Sequence, residues 1–219
     1  MTDVEGLLLT GRPPRYAQLP TAAAPEGDHS LRRWLDLGAA QAKRLGVEQV
    51  PVVVRDRAEA DSPGLAGLID GAGLIYLSGG SPTCLAKTLR GTAVWAAILA
   101  AWRSGSALAG CSAGAMALTG WVPAMRALRR EPDPGLGLLP GLRVLPHFDK
   151  MLGWVPDLLT RALLHPPAGT TVLGIDEDTA IVDLSGAGHI WQVHGRQQVW
   201  TIADGPRHGH PAGTTLRTP

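Results

Sequence analysis

A serine between two glycines is the residue of this sequence with the clearest chemical potential. Gly110-Cys111-Ser112-Ala113-Gly114 fits the pattern Gly-x-Ser-x-Gly, in which a strand turns sharply into a helix and exposes the serine hydroxyl at the carboxyl end of a sheet. Backbone N–H groups at the start of such a helix can stabilise the negative oxygen of a tetrahedral intermediate. The pattern therefore predicts that Ser112 is a nucleophile. A Gly/Ser loop without chemistry is the alternative in a chain with 28 glycines.

A serine nucleophile needs a base, usually histidine, and a carboxylate that orients this base. Among the seven histidines, His147 differs because it follows a short predicted strand, Leu142–Leu145, where such a sheet collects its catalytic groups. His147 is either the base or a residue that caps the strand through a structural hydrogen bond. No histidine has a carboxylate or cysteine partner at a familiar metal-ligand spacing, so no metal is expected. Cys84 and Cys111 form no disulfide framework, and Cys111 is interpreted as a small buried filler.

Three consecutive acidic residues, Asp176, Glu177 and Asp178, follow another predicted strand. They repel one another and should point in different directions, with 176 and 178 on one side of an extended chain and 177 on the other. This alternation of side chains does not by itself decide which of the two sides faces His147. Asp149, two residues after His147, is the rival for the role of orienting acid, although it could equally cap a turn or helix.

The elements around these residues alternate between strand and helix through the first half of the chain. The continuous β-branched run at 50–55 indicates a strand that is covered on both faces. Ligands of doubly wound sheets bind at the carboxyl ends of strands, which places the loop 78–82 beside the serine. The predicted strands are 6–11, 50–55, 73–77 and 106–109, the predicted helices are 31–45, 83–90 and 92–103, and 12–28, with four prolines, is a predicted loop.

The second half is expected to differ in character. A Gly/Pro/Arg-rich excursion is predicted at 119–141, followed by a strand at 142–145, a helix at 156–164 and a strand at 172–175. Short strands separated by glycine-containing turns predict an antiparallel edge to the sheet. These strands are 180–184, 189–193 and 198–202. From about 204 to 219 the Gly/Pro/His-rich segment is predicted to be a frayed tail.

Composition limits the class of protein. The chain has 219 residues, 45% of them hydrophobic and 18% charged, with a net charge of +1. This length predicts one domain over 1–219. No basic patch indicates a nucleic-acid partner, and neither a signal-like amino terminus nor a long apolar run indicates a membrane segment. We therefore expect a soluble cytoplasmic protein.

Four motifs in one order resemble a known family of serine peptidases, the dipeptidase E and cyanophycinase family. They are Gly79-Gly80 after a buried strand, Gly110–Ala115, Pro146-His147-Phe148 and Gly174–Ala180, and the resemblance extends from about residue 73 to about residue 183. It implies a three-layer, doubly wound α/β fold of the class I glutamine-amidotransferase-like type, with a mostly parallel sheet and an antiparallel edge. The order Ser, His, Glu also counts against an α/β-hydrolase, in which the acid precedes the histidine.

The resemblance implies a role for each site residue. Ser112 would be the nucleophile, His147 the base, Glu177 the acid that orients the base, and the backbone N–H groups of Gly80 and Ala113 the oxyanion hole. The expected enzyme is a serine peptidase, an exopeptidase that hydrolyses short peptides through an acyl-enzyme, without a cofactor, as a homodimer. Two alternatives stay open: a catalytically silent binding or regulatory protein of the same fold, and an esterase or amidase.

Departures from the family concern the substrate. Ser81-Pro82 follows Gly79-Gly80 where members carry Asn or Asp and then Gln or Thr, and Asp149–Trp154 replaces the Arg-rich helix of cyanophycinases. A β-linked Asp-Arg polymer is therefore not the expected substrate. Substrate-reading candidates are Lys150, Arg126 and Arg161, each of which could equally be a solvated surface charge. The segments 12–28 and 119–141 are expected to be lids or subunit contacts that restrict access to peptide ends.

Overall fold

The computed structural model describes residues 1–122, 133–151, 169–183, 185–186, 188–202 and 207–218. The chain divides into two compact units, Thr2–Leu118 and Thr119–Pro219, the second grouped with Met1. We call them the amino-terminal and the carboxy-terminal unit. The expectation that 1–219 is a single domain stays a prediction.

The amino-terminal unit alternates strands and helices as predicted. A four-stranded, all-parallel sheet runs in the order β2-β1-β3-β4. Its elements are α1 Thr2–Leu9, β1 Arg15–Leu19, a 3-10 helix Thr21–Glu26, α2 Asp28–Leu45, β2 Glu48–Pro51, α3 Arg57–Ala60, α4 Pro63–Gly67, β3 Leu74–Leu77, α5 Pro82–Leu89, α6 Ala93–Arg103, β4 Ala107–Gly110 and α7 Ala113–Leu118. The predicted α/β class with a mostly parallel sheet is confirmed.

The first thirty residues differ from the sequence prediction. The predicted strand at 6–11 is wrong, because this segment belongs to helix α1 and the turn after it; a short apolar run alone does not distinguish a strand from a helix. The predicted loop at 12–28 is also wrong. It contains β1, which pairs with both β2 and β3 inside the sheet. Pro13-Pro14 and Pro20 stand just outside this strand, where they interrupt no ladder hydrogen bond. The segment 12–28 is therefore part of the sheet and its flanking helices, and its role as a lid or subunit contact stays a prediction.

The carboxy-terminal unit contains the antiparallel strands that the sequence predicts. One sheet runs in the order β12-β11-β8-β7, with β7 and β8 parallel and the other pairs antiparallel, and a second, antiparallel sheet runs β13-β10-β9. The elements are β5 Trp121–Val122, β6 Asp133–Pro134, β7 Leu142–Pro146, α8 Phe148–Met151, β8 Thr171–Ile175, β9 Thr179–Val182, β10 Ile190–Gly195, β11 Gln198–Ile202, β12 His208–Pro211 and β13 Thr215–Arg217.

The frayed tail predicted from about 204 to 219 is wrong. β12 pairs with β11 and β13 pairs with β10, and the side chain of Leu216 is buried in the cluster that contains Trp191 and Val199. Loss of chain entropy here is offset by ladder hydrogen bonds and apolar burial, which composition alone did not indicate. The predicted helix 156–164 and the middle of the excursion, 123–132, lie outside the described residues.

No single helix in the described ranges is both long and apolar enough to cross a bilayer. Helices α5 and α6 meet the length and composition requirement only together, and a bend of 92° separates them.

Candidate active site

Ser112 lies in the sharp turn that the sequence predicts. β4 ends at Gly110 and α7 begins at Ala113, so two residues separate strand from helix. Ser112 has a φ of 47°, in the left-handed region that a residue with a side chain seldom occupies. Backbone strain of this kind is maintained at functional sites by the surrounding packing. The geometry is that of a nucleophile elbow, a name we use below for residues 110–114.

The two glycines of the elbow are required by close packing. A Cβ on Gly110 would lie 2.6 Å from the carbonyl carbon of Gly114, and a Cβ on Gly114 would overlap the carbonyl group of Leu77 in β3. Any larger side chain at either position would push the start of α7 away from the sheet. Ser112 is therefore held in place by shape, through contacts that leave no room for a methyl group.

The Gly79-Gly80 loop follows β3 and lies against the elbow. A Cβ on Gly79 would be 3.5 Å from the Cβ of Ser112 and 2.7 Å from the ring of Trp34 in α2, and Gly80 has a φ of 134°. The backbone N–H of Ser81 donates to the carbonyl oxygen of Ala22, 2.7 Å away. The predicted proximity of this loop and the elbow is confirmed.

Ser81-Pro82, the departure from the family pattern, has a structural function. The Ser81 hydroxyl accepts a hydrogen bond from the backbone N–H of Cys84, and Pro82 is the first residue of α5. Serine at the N-cap and proline in the first turn both favour the start of a helix. The pair therefore begins α5 directly after the Gly79-Gly80 loop.

A buried glutamine, which the sequence analysis missed, supports the Gly79-Gly80 loop through hydrogen bonds. Gln18 in β1 is 1% exposed; its Nε2 donates to the Trp34 carbonyl oxygen at 2.7 Å and contacts Ser78 Oγ at 3.3 Å, and its Oε1 accepts from Gln49 at 2.9 Å. Buried polar groups with satisfied hydrogen bonds specify one arrangement. The sequence signal for this role was a glutamine within a short apolar stretch. The prolines on either side of that stretch led instead to the prediction of a loop.

Cys111 is next to Ser112 but lacks the character of a nucleophile. Burial raises the pKa of its thiol, and hydrogen bonds from the Tyr76 hydroxyl and from the Gly79 backbone only partly oppose this. A thiol with a raised pKa is mostly protonated at neutral pH, and the thiolate is the reactive form. This agrees with the prediction that Cys111 fills space.

His147 follows β7 and, like Ser112, has a left-handed backbone, with a φ of 55°. Its Nδ1 donates to Oε1 of Glu177 at 2.8 Å. The next residue, Phe148, is 1% exposed, and its ring fills the space where a Cβ of Gly174 in β8 would lie. The motifs Pro-His-Phe and Gly-Ile-Asp-Glu therefore contact each other directly, and this contact aligns His147 with Glu177.

Glu177 has further partners within the same unit. Lys150 Nζ lies 2.9 Å from the carboxylate oxygen that His147 contacts. The hydrogen bond from Lys150, and after it the one from His147, lowers the pKa of Glu177, which keeps the carboxylate ionised. The backbone N–H of Glu177 donates to Asp149 Oδ1 at 2.9 Å, and Asp149 Oδ2 accepts from Gln197 at 3.3 Å.

The neighbouring acidic residues point away from His147, but Asp176 and Asp178 do not share one side as predicted, because Asp178 has a left-handed backbone with a φ of 52° and the chain is not extended there. Asp176 is buried and accepts from the indole N–H of Trp200 at 3.1 Å. Asp178 is exposed and lies 3.5 Å from Arg196. Asp149, the rival of Glu177, holds the Glu177 backbone. The contact with the imidazole is made by Glu177.

The remaining candidates are distributed over other elements. His29 lies in the first turn of α2, His189 precedes β10 and His194 lies within it, and His208 and His210 lie in β12. His165, Arg126 and Arg161 are outside the described residues. Within the ranges that the structure describes, no group of three or more His, Cys, Asp or Glu side chains could hold a metal ion.

Comparisons with known proteins agree with this geometry. The sequence profile of peptidase family S51 matches residues 8–187. The crystal structure of a peptidase from an acI-B1 Actinobacterium is 39% identical over 99% of this chain and 90% of that chain, with a TM-score of 0.91. A putative peptidase E protein from Listeria monocytogenes EGD-e, 16% identical over 97% of this chain and 94% of that chain, has a TM-score of 0.56 and shows the fold alone. No curated protein gave a significant match.

The family match and the 39% identical peptidase place this chain in the class of the serine peptidases, and the strained serine between close-packed glycines agrees with that class. More particularly, the chain belongs to peptidase family S51. The resemblance that the four motifs indicate is confirmed.

Proposed function

We propose that this peptidase is an exopeptidase that hydrolyses short peptides with a triad of Ser112, His147 and Glu177. The observation that carries the proposal is the 2.8 Å hydrogen bond between His147 Nδ1 and Glu177 Oε1. A carboxylate at Nδ1 fixes the tautomer of the imidazole and makes Nε2 the nitrogen that takes a proton. This is the arrangement that a general base for a serine hydroxyl requires.

The chemistry follows from these roles. Ser112 Oγ attacks the scissile carbonyl carbon while its proton passes to His147 Nε2, and the imidazolium then protonates the leaving amine as the C–N bond breaks. Water attacks the acyl-enzyme, with His147 again taking the proton, and releases the carboxylic acid product. The ionised Glu177 stabilises the imidazolium in both halves of the reaction. No cofactor takes part.

The oxyanion would be stabilised by the backbone N–H groups of Gly80 and Ala113. Ala113 is the first residue of α7, where backbone N–H groups have no intrahelical acceptor. Gly80 lies in the loop that packs against the elbow, and its positive φ is accessible mainly to glycine. Donors fixed in this way require no reorganisation when charge develops on the oxygen.

The proposed triad takes its residues from both units. Ser112 belongs to the amino-terminal unit, whereas His147 and Glu177 belong to the carboxy-terminal unit. Turnover therefore requires that His147 Nε2 come within hydrogen-bond reach of Ser112 Oγ, about 2.6–3.2 Å.

Cleavage at peptide ends, a homodimer and a cytoplasmic location complete the proposal. They are supported by the resemblance to dipeptidase E and by the length of the segment 119–141, which is typical of loops that restrict access to an active site or form subunit contacts. Light scattering at micromolar concentration tests the dimer. Efficient cleavage within a folded protein would refute the restriction to peptide ends.

Labelling by a fluorophosphonate probe combined with a peptide library tests the activity. The wild-type protein should be labelled at Ser112 and should shorten library peptides from one end, as read by mass spectrometry. Ser112→Ala should lose both properties and keep its fold by circular dichroism, whereas Ser104→Ala, an exposed serine, should keep both properties. Labelling without peptide cleavage would indicate an esterase or amidase, and absence of labelling would indicate a binding protein.

A further inference from the structure

One carboxylate oxygen at this site is shared between a histidine and a lysine. Oε1 of Glu177 accepts from His147 Nδ1 at 2.8 Å and from Lys150 Nζ at 2.9 Å. The backbone N–H of Lys150 donates to the carbonyl oxygen of His147 at 3.0 Å, which closes the turn between the two residues. A serine triad needs only the histidine on its carboxylate. The lysine is therefore an additional component that the catalytic scheme does not require.

The main chain of Glu177 is secured by other residues. Its N–H donates to Asp149, and its carbonyl oxygen accepts from Gln197 Nε2 and from Thr179 Oγ1, both at 3.1 Å. These bonds fix the backbone but leave the direction of the side chain open. The carboxylate is directed by His147 and Lys150.

Other charged groups of this unit are engaged elsewhere. Asp178 is paired with Arg196, Asp176 is turned towards Trp200, and the guanidinium of Arg207 lies over the ring of Phe148. Asp149 and Asp178 act on Lys150 only through weaker electrostatic attraction. Among the described residues, Lys150 is the lysine that forms an ion pair with the Glu177 carboxylate.

We propose that Lys150 is a positioning residue that tunes His147 through Glu177. This inference rests on the proposed function of His147 as the base. The ammonium group keeps the carboxylate directed at the imidazole. The directed carboxylate holds the imidazole proton on Nδ1, so that Nε2 is the nitrogen that takes the proton of Ser112.

The tautomer of the His147 imidazole, read by NMR from the nitrogen shifts of the ring, tests the inference beside kcat and KM. Four variants are compared: Lys150→Met, Lys150→Gln, Lys150→Arg and the control Lys43→Met, which removes an exposed lysine from α2. His147→Asn identifies the signal. In Lys150→Met the imidazole should no longer hold the single tautomer with the proton on Nδ1, and kcat should fall a few fold while KM stays unchanged.

The other variants separate charge from hydrogen bonding. Lys150→Gln keeps a hydrogen-bond donor without the charge, so it should retain more of the Nδ1-protonated tautomer and lose less of kcat than Lys150→Met. Lys150→Arg and Lys43→Met should resemble the wild type. A wild-type tautomer in folded Lys150→Met overturns the inference. The tautomer does not depend on turnover, so it reports on Lys150 even if Ser112→Ala shows that the proposed triad is wrong.

Discussion

The elbow at residues 110–114 and the segment around His147 hold their chemically important residues by different means. At the elbow, glycine contacts too close for a methyl group hold Ser112 against β3 and the Gly79-Gly80 loop. Around His147, charged and polar side chains form a hydrogen-bonded chain on a partly exposed surface, with 46% of the histidine side chain and 33% of the Glu177 side chain accessible. The first region depends on shape and the second on charge.

Both regions nevertheless have the same backbone feature. Ser112 and His147 are two of the three residues other than glycine with positive φ in the described ranges. Strain of this kind costs of order 1–3 kcal/mol at each residue and persists only where surrounding contacts compensate for it. The comparison therefore predicts that substitutions at the elbow act through volume, whereas substitutions near His147 act through charge and protonation.

The largest effect is expected for His147→Ala. Loss of the proton acceptor should lower kcat by roughly four to six powers of ten, because a serine hydroxyl is a poor nucleophile without a base. The folded structure should persist, since the imidazole is half exposed. Initial rates on a cleaved library peptide provide the measurement, with His189→Ala as the control for an exposed histidine of the same unit. Wild-type rates in His147→Ala would point to another histidine.

Substitution of the orienting acid should have the next largest effect. Glu177→Gln keeps the size of the side chain but removes the charge that stabilises the imidazolium, and should lower kcat by about one to four powers of ten. Asp149→Asn should reduce kcat only severalfold, since Oδ1 can still accept from the Glu177 backbone while the contact with Gln197 is weakened. If Asp149→Asn lowers kcat more than Glu177→Gln does, Asp149 and not Glu177 is the acid of the triad.

A methyl group at the elbow should act on stability. Gly114→Ala places a Cβ on the carbonyl group of Leu77, and should lower the free energy of unfolding by about 1–3 kcal/mol while displacing Ser112. The control is Gly67→Ala in α4, where a Cβ meets no atom within 4 Å; it should be neutral or stabilising by up to about 1 kcal/mol. Thermal unfolding of both variants is the test. Equal stability in the two would show that the elbow is not held by shape.

The smallest expected effect concerns the thiol of Cys111, beside Ser112. Because burial raises the pKa of Cys111, iodoacetamide at pH 8 should alkylate it at least about tenfold more slowly in the folded protein than in the unfolded chain. Peptide mapping by mass spectrometry distinguishes Cys111 from Cys84. Rapid alkylation of Cys111 in the folded protein would mean that the elbow exposes a second nucleophile, contrary to its packing.

The parts of this molecule that sequence predicted well are those with local signals. The elbow pattern, the helix that ends at Gly46 and the strands before His147 and Asp176 each depend on a few adjacent residues. The choice of Glu177 over Asp149 followed from the resemblance and from side-chain reach, and the observed contact agrees with it. Its catalytic role stays a prediction.

The features that sequence did not predict depend on contacts between distant residues. β1 is flanked by prolines and is recognisable as an inner strand only once its partners are known. Lys150 was a candidate for substrate recognition or a solvated charge, and its ion pair with Glu177 spans 27 positions in the chain. Gln18 and Trp34 support the Gly79-Gly80 loop from segments that carry no catalytic motif.

The pairing of β12 with β11 and of β13 with β10 determines when the surroundings of Glu177 are completed during synthesis. A nascent chain that has been made only to residue 203 lacks the partners of β11 and β10. β11 begins at Gln198, whose backbone N–H donates a hydrogen bond to the Asp176 carboxylate. The side chain of the preceding Gln197 donates to both Asp149 and Glu177. The carboxylate that faces His147 therefore becomes fully supported only after Arg217 has left the ribosome. An unfinished polypeptide therefore carries Ser112 but lacks part of the network that holds Glu177 beside His147.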